Sequence, residues 1–188
     1  MQAARGASLN SSDPDHHPTR RRPLGIFFGV ALVAYALDVV TKVLAVERLS
    51  GRDPVPVVGE LLQLNLVRNP GAAFSTGTSY TLILALIAIG AVGVVLFLSR
   101  KLGDRLWAFG LGCLLGGVLG NLTDRIFREP GPLRGHVIDF LQLPNWPVFN
   151  VADICINVAA GVIILQAIRG VSHTGERESR KEGEVAGS

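Results

Sequence analysis

Asp124, in GNLTDR (residues 120–125), and Asp153, in FNVAD (residues 149–153), each stand at the edge of an apolar span, three residues after an asparagine. A carboxylate at the centre of a bilayer costs about 2.5–3.5 kcal/mol on insertion scales and less near the interface, so acids in such spans point to function. Two acids with the same local pattern read as one site built from two helices. Close carboxylates do not both ionise cheaply, and one of such a pair keeps a proton near neutral pH. That is the requirement of aspartic proteolysis, in which one carboxylate takes a proton from water while its protonated partner hydrogen-bonds the scissile carbonyl. Asn121 and Asn150 reach the faces of their acids, and their amides both donate and accept, which suits an extended peptide backbone.

The elements that must position these residues follow from composition. The chain has 188 residues, of which 48% are hydrophobic and 18% charged, and its mean hydropathy is +0.39. This is too apolar for an ordinary soluble domain of that length. Mostly apolar windows occur at about 24–44, 80–98, 106–122 and 148–168, each long enough to cross a hydrocarbon core of about 30 Å. The fold class expected is an all-α membrane protein, with four transmembrane helices, a small extracytoplasmic β-hairpin or sheet and an outer loop. The first span follows Arg20, Arg21 and Arg22 and contains Ala34-Tyr35-Ala36, but it is too long for the core of a cleaved signal peptide.

Basic residues set the orientation. Eleven lie in the amino-terminal tail, the loop after the second span and the carboxyl-terminal tail, against six in the two opposite loops. The positive-inside rule then puts both termini in the cytoplasm and both aspartates at the outer surface of the cell membrane. The expected organisation is a disordered cytoplasmic tail over 1–22, a membrane domain over 23–170 with outer loops at about 45–79 and 123–147, and a second disordered tail over 171–188. The net charge of +3 reads as topology and contact with membrane lipids rather than as a nucleic-acid surface. Cys113 and Cys155 fall inside spans and read as buried free thiols.

Small residues share faces with the acids. Gly112, Gly116 and Gly120 recur every fourth residue up to Asp124, and Asp153, Asn157 and Gly161 form a similar series, with Ala160 beside it. The simplest packing sets these two stripes against each other. In the first outer loop Leu62, Leu64 and Leu66 alternate with Gln63 and Asn65, as in a half-exposed strand that pairs with residues 55–58. In the second, Pro130-Gly131-Pro132 excludes one continuous helix, Trp146 suits the headgroup belt, and the loop is long enough to form a flap.

Other chemistries have less support. No H-E-x-x-H motif accompanies His16, His17, His136 and His173, which argues against a zinc protease. A Ser-Lys hydrolase would need Ser75 or Ser79 to meet Lys42. Asp38 and Lys42, four residues apart, also read as a plain intrahelical ion pair. The non-enzymatic alternative is a proton- or cation-coupled transporter. It sits poorly with acids at one surface and with the absence of broken helices or paired repeats.

Five segments in order, DVVTK (38–42), NPGAAF (69–74), GGVLGNLTDR (116–125), VIDF (137–140) and FNVADICI (149–156), resemble the lipoprotein signal peptidases, or signal peptidase II family. The resemblance implies a four-span aspartic endopeptidase of the cell membrane without a metal or other cofactor. Such an enzyme acts as a monomer on prolipoproteins, cutting the signal peptide just before a diacylglyceryl-modified cysteine. By motif match, Asp124 and Asp153 would form the catalytic dyad. Asp38, Lys42, Asn69, Gly71, Asn121, Arg125, Asp139 and Asn150 would bind substrate or support the dyad. The resemblance also implies a small sheet in the first outer loop that cradles the substrate above the membrane.

Overall fold

The structure, a computed structural model, describes residues 23–71 and 79–177. Four long apolar helices carry the fold: α1 (Leu24–Leu49), α2 (Ser79–Ser99), α3 (Arg105–Phe127) and α4 (Val151–Ile168). By length and hydropathy all four can cross a membrane. Between them lie three short strands, β1 (Val55–Val58), β2 (Leu62–Asn69) and β3 (Val137–Gln142).

Helix α3 is the hub. It is buried along most of its length, whereas the other three helices expose most of theirs. It packs against α1, α4 and α2. The reason is its glycines, which remove side-chain bulk where another backbone must come close. A Cβ on Gly112 would come within 2.7 Å of the Phe27 carbonyl, and one on Gly116 within 2.6 Å of the Ala34 Cβ. The stripe of Gly112, Gly116 and Gly120 therefore faces α1. The expectation that it packs against the Asp153, Asn157 and Gly161 stripe is wrong. Helix α4 meets a different face of α3, at Gly110 against Val162 and at Gly117 against the Ala152 carbonyl, and Gly161 has nothing near it. Two helices must approach α3 at once, and one glycine row serves only one of them.

The hairpin expected from the leucine alternation is present, with β1 antiparallel to β2. The third strand was not foreseen. β3 pairs antiparallel with the other edge of β2, aligning Asn69 with Val137 and Val67 with Asp139. It is almost wholly buried, so its residues do not alternate in polarity and leave no period-two signal. Ile138 and Phe140 pack with Ala45 and Leu49, which anchors the sheet on the end of α1. Helix α3 also runs on through Asp124 to Phe127, further than the span ending near residue 122.

At the opposite end of the bundle, Asp104 caps α3 by accepting from the backbone N–H groups of Leu106 and Trp107, and it also accepts from the Gln166 amide. The expected disorder from residue 171 onward is corrected for its first residues. Val171 bridges to Arg177 across a turn, Trp107 donates its indole N–H to the Val171 carbonyl, and Gly103 donates to the His173 carbonyl. Residues 1–22 and 178–188, read as tails, lie outside the described residues. Cys113 and Cys155 are free thiols.

Candidate active site

Helix α4 begins with a reciprocal cap. The Asp153 backbone N–H donates to the Asn150 side chain at 2.9 Å, and the Asn150 N–H donates to Asp153 Oδ2 at 3.2 Å. An acid at the third helical position is a common capping device, so this bond alone would make Asp153 structural. Its other oxygen does something else. Asp153 Oδ1 accepts from the Asn121 amide on α3 at 3.0 Å. Helix α1 secures the same first turn from below, because Asp38 Oδ1 accepts from the Ala152 N–H at 2.8 Å. A buried carboxylate at a helix amino end both fills an orphan donor and complements the helix dipole.

Lys42 joins the two acids. Its ammonium lies 2.7 Å from Asp38 and 2.9 Å from Asp124 Oδ2, and donates to Asn121 Oδ1 at 2.8 Å. Asn121 thus connects the lysine that touches Asp124 to the carboxylate of Asp153. The expected Asp38–Lys42 ion pair exists, but it is one arm of a larger cluster. Lys42, Asp38 and Asp124 are all buried, and a buried charge is tolerable only when paired and hydrogen-bonded. Removal of the lysine would leave Asp38 without a counter-ion and Asp124 with Arg128 alone.

The remaining partner of Asp124 is Arg128, whose Nε donates to Oδ1. Sequence reasoning missed it, although its position one turn after the acid was a usable signal. The side chain of the arginine carried over from the resemblance, Arg125, makes no hydrogen bond among the described residues; its charge acts at longer range on Asp139, Asp124 and Asp153. Asp124 Oδ2 also accepts from the Ile138 N–H at 3.2 Å, which ties β3 to the site.

Strand β3 brings in Asp139 beside this cluster. It accepts from Asn150 at 2.6 Å and from Asn69 at 2.8 Å. Burial pushes its carboxyl up from the ordinary 3.8 to about 6, opposed by the Asn69 hydrogen bond and assisted by the negative charge of Asp153. Asn69 Oδ1 accepts in turn from the Gly71 N–H at 2.8 Å. Gly71 turns the chain out of β2 with φ of 106°, a conformation open to glycine, and a Cβ there would also press on Leu84. All the residues expected at the site therefore lie in one region, with Arg125 the member whose side chain makes no direct bond.

Beside the cluster opens a cavity of about 660 Å³, walled by Asn69, Asp139, Trp146, Phe149, Asp153 and Asn157. Carboxylates, amides and apolar walls of this kind suit a peptide with an apolar part. Ser75 and the side chain of Ser79 lie outside the described residues, and Lys42 is committed to two acids and an amide. Among the described residues no cluster of His, Cys, Asp and Glu is arranged to hold a metal ion. His136 sits in the loop before β3, its backbone N–H bonded to the Glu129 carbonyl.

The family described as signal peptidase (SPase) II matches residues 30–169. A lipoprotein signal peptidase of Mycobacterium avium (strain 104) is 52% identical over 155 residues, covering 82% of this chain and 83% of the relative. That of Leifsonia xyli subsp. xyli is 45% identical over 185 residues, covering 95% and 85%. A bacterial membrane enzyme solved in meso at 1.9 Å has the same fold, with a TM-score of 0.69 at 24% identity over 77% of this chain and 94% of that one.

Proposed function

The chain belongs to the signal peptidase II family, a multi-pass membrane protease that removes signal peptides from prolipoproteins, and on that premise we propose that it works as an aspartic endopeptidase whose catalytic dyad is Asp139 and Asp153, in place of the Asp124 and Asp153 expected from the sequence. The observation that carries this reading is that Asp139 and Asp153 both wall the cavity and the charge of one acts on the other, whereas Asp124 is buried between Lys42 and Arg128 and lines no part of it. One carboxylate takes a proton from a water molecule as the water oxygen bonds to the scissile carbonyl carbon. The other, protonated, gives its proton to the carbonyl oxygen. When the C–N bond breaks, the leaving amine takes up a proton from the dyad and the carbonyl returns.

Lys42 and Asn121 tie Asp153 to the buried Asp124, Asp124 holds β3 beside the cavity by accepting from the Ile138 N–H, and Asp38 fixes the first turn of α4 from which Asp153 projects. Asn69 lines the wall along which the substrate backbone lies, Gly71 and Asn150 hold Asn69 and Asp139 from behind, and Arg125 and Arg128 supply positive charge around Asp124. The peptide is cut before a cysteine bearing a diacylglyceryl group, whose chains stay in the bilayer. The excess of basic residues on the tails and on the loop after α2 supports cytoplasmic termini and a site at the outer surface. Transport has no support: the four spans are continuous helices, and the acids sit near helix ends.

The test is cleavage of a diacylglyceryl-modified prolipoprotein by the purified protein in detergent. Asp139→Asn and Asp153→Asn keep side-chain size but remove the acid. Each is expected to lower turnover by roughly 10²–10⁴-fold or more while remaining folded. Turnover in either variant close to that of the wild type would end the aspartic reading.

A further inference from the structure

On α4 every exposed side chain is apolar except one. Asn157 lies one turn past Asp153, between the exposed Ile154 and Val158, and lines the same cavity. One of its amide N–H groups donates to the Asp153 carbonyl of its own helix at 2.8 Å. Its second N–H and its Oδ1 have no partner among the described residues. A membrane helix ordinarily turns polar groups toward its neighbours, and this one is turned toward the space beside the dyad.

We propose that Asn157 positions the substrate, its amide pairing with the backbone of the signal peptide just before the cut. The inference rests on the dyad reading above and extends its site one turn into the membrane. Four helical residues advance about 6 Å. An extended peptide covers about 3.3 Å per residue, so Asn157 lies level with the second residue before the scissile bond. A signal peptide that spans the membrane as a helix must unwind there to enter the site. Its freed N–H and C=O groups then need partners in a medium that offers none. Asparagine supplies both a donor and an acceptor. The ester carbonyls of the diacylglyceryl group only accept, and would leave Oδ1 unused. The peptide backbone therefore fits better than the lipid.

The experiment uses Asn157→Leu and Asn157→Gln with two lipidated substrates, a full prolipoprotein and a version truncated to begin one residue before the modified cysteine. On the full substrate, leucine should raise KM about three- to tenfold, the loss of one hydrogen bond, with kcat within about twofold of wild type. Glutamine, which keeps the amide, should stay near wild type. On the truncated substrate the three proteins should be alike. An unchanged KM for leucine on the full substrate overturns the proposal, as does glutamine failing as leucine does. Equal losses on both substrates overturn it too, and assign Asn157 to the lipid or to the fold. Wild-type cleavage of the full substrate and its loss in Asp153→Asn test the underlying dyad separately.

Discussion

Asp139 shows how one residue's surroundings set its chemistry. It is buried at the site, and two asparagine amides replace the water it has lost. Its carboxyl holds a proton up to about pH 6 in the folded protein, against 3.8 when exposed. Because the native state binds the proton more tightly than the unfolded chain, this group's contribution to stability is fully present below about pH 3.8 and is lost as the pH rises through 6. Asp139→Asn removes the titration. Thermal unfolding in detergent between pH 4 and 7 should show wild-type stability falling relative to the variant, by up to roughly 3 kcal/mol at 1.36 kcal/mol per unit. Parallel curves for the two proteins would show that Asp139 does not titrate differently on folding.

At the scale of elements, the sequence revealed what periodicity and composition encode. Four spans and the β1–β2 hairpin were legible, because hydrophobic length and leucine alternation are local signals. β3 was not, because a short strand buried on both sides has no polarity rhythm. The helix partners were not either: a glycine stripe announces a close approach without saying to which helix. Arg128 and the Asp38 cap on α4 depend on pairings across 4 and 114 residues; the first was within reach of spacing rules, the second was not. The corrected packing makes a sharp contrast. Gly116→Val forces a Cβ against the Ala34 side chain and the Ala31 carbonyl, and so pushes α1, with Lys42, away from α3 and Asp124. Overpacking of this kind costs about 1–3 kcal/mol or more, and activity should fall with it. Gly161→Val meets open space and should change neither. Detergent melting and cleavage assays on both variants decide the matter, and a reversed order would restore the stripe-to-stripe packing.

For the whole molecule, the site makes sense only if the sheet and the dyad share the side of the membrane on which prolipoproteins present their modified cysteine. Helices α1 and α3 bring Asp38, Lys42 and Asp124 to the end of the bundle where β1, β2 and β3 pack, and the α2–α3 turn lies at the other end with the 171–177 turn docked on it. Charge follows the same division: Arg100, Lys101 and Arg105 crowd the α2–α3 turn, while the sheet end has fewer basic residues over longer loops. With four spans, the start of α1 and the end of α4 lie on the same side as that turn. The prediction is directional. In whole cells, a membrane-impermeant maleimide should label Arg134→Cys, an exposed position in the loop before β3, and should reach Lys101→Cys only after the membrane is permeabilised. Cys113 and Cys155, within the spans, serve as the background in the unsubstituted protein. Labelling of Lys101→Cys in intact cells with protection of Arg134→Cys would invert the molecule. The carboxylates would then face the cytoplasm, where basic residues near the sheet would have to outweigh those on the tails to hold the chain in place.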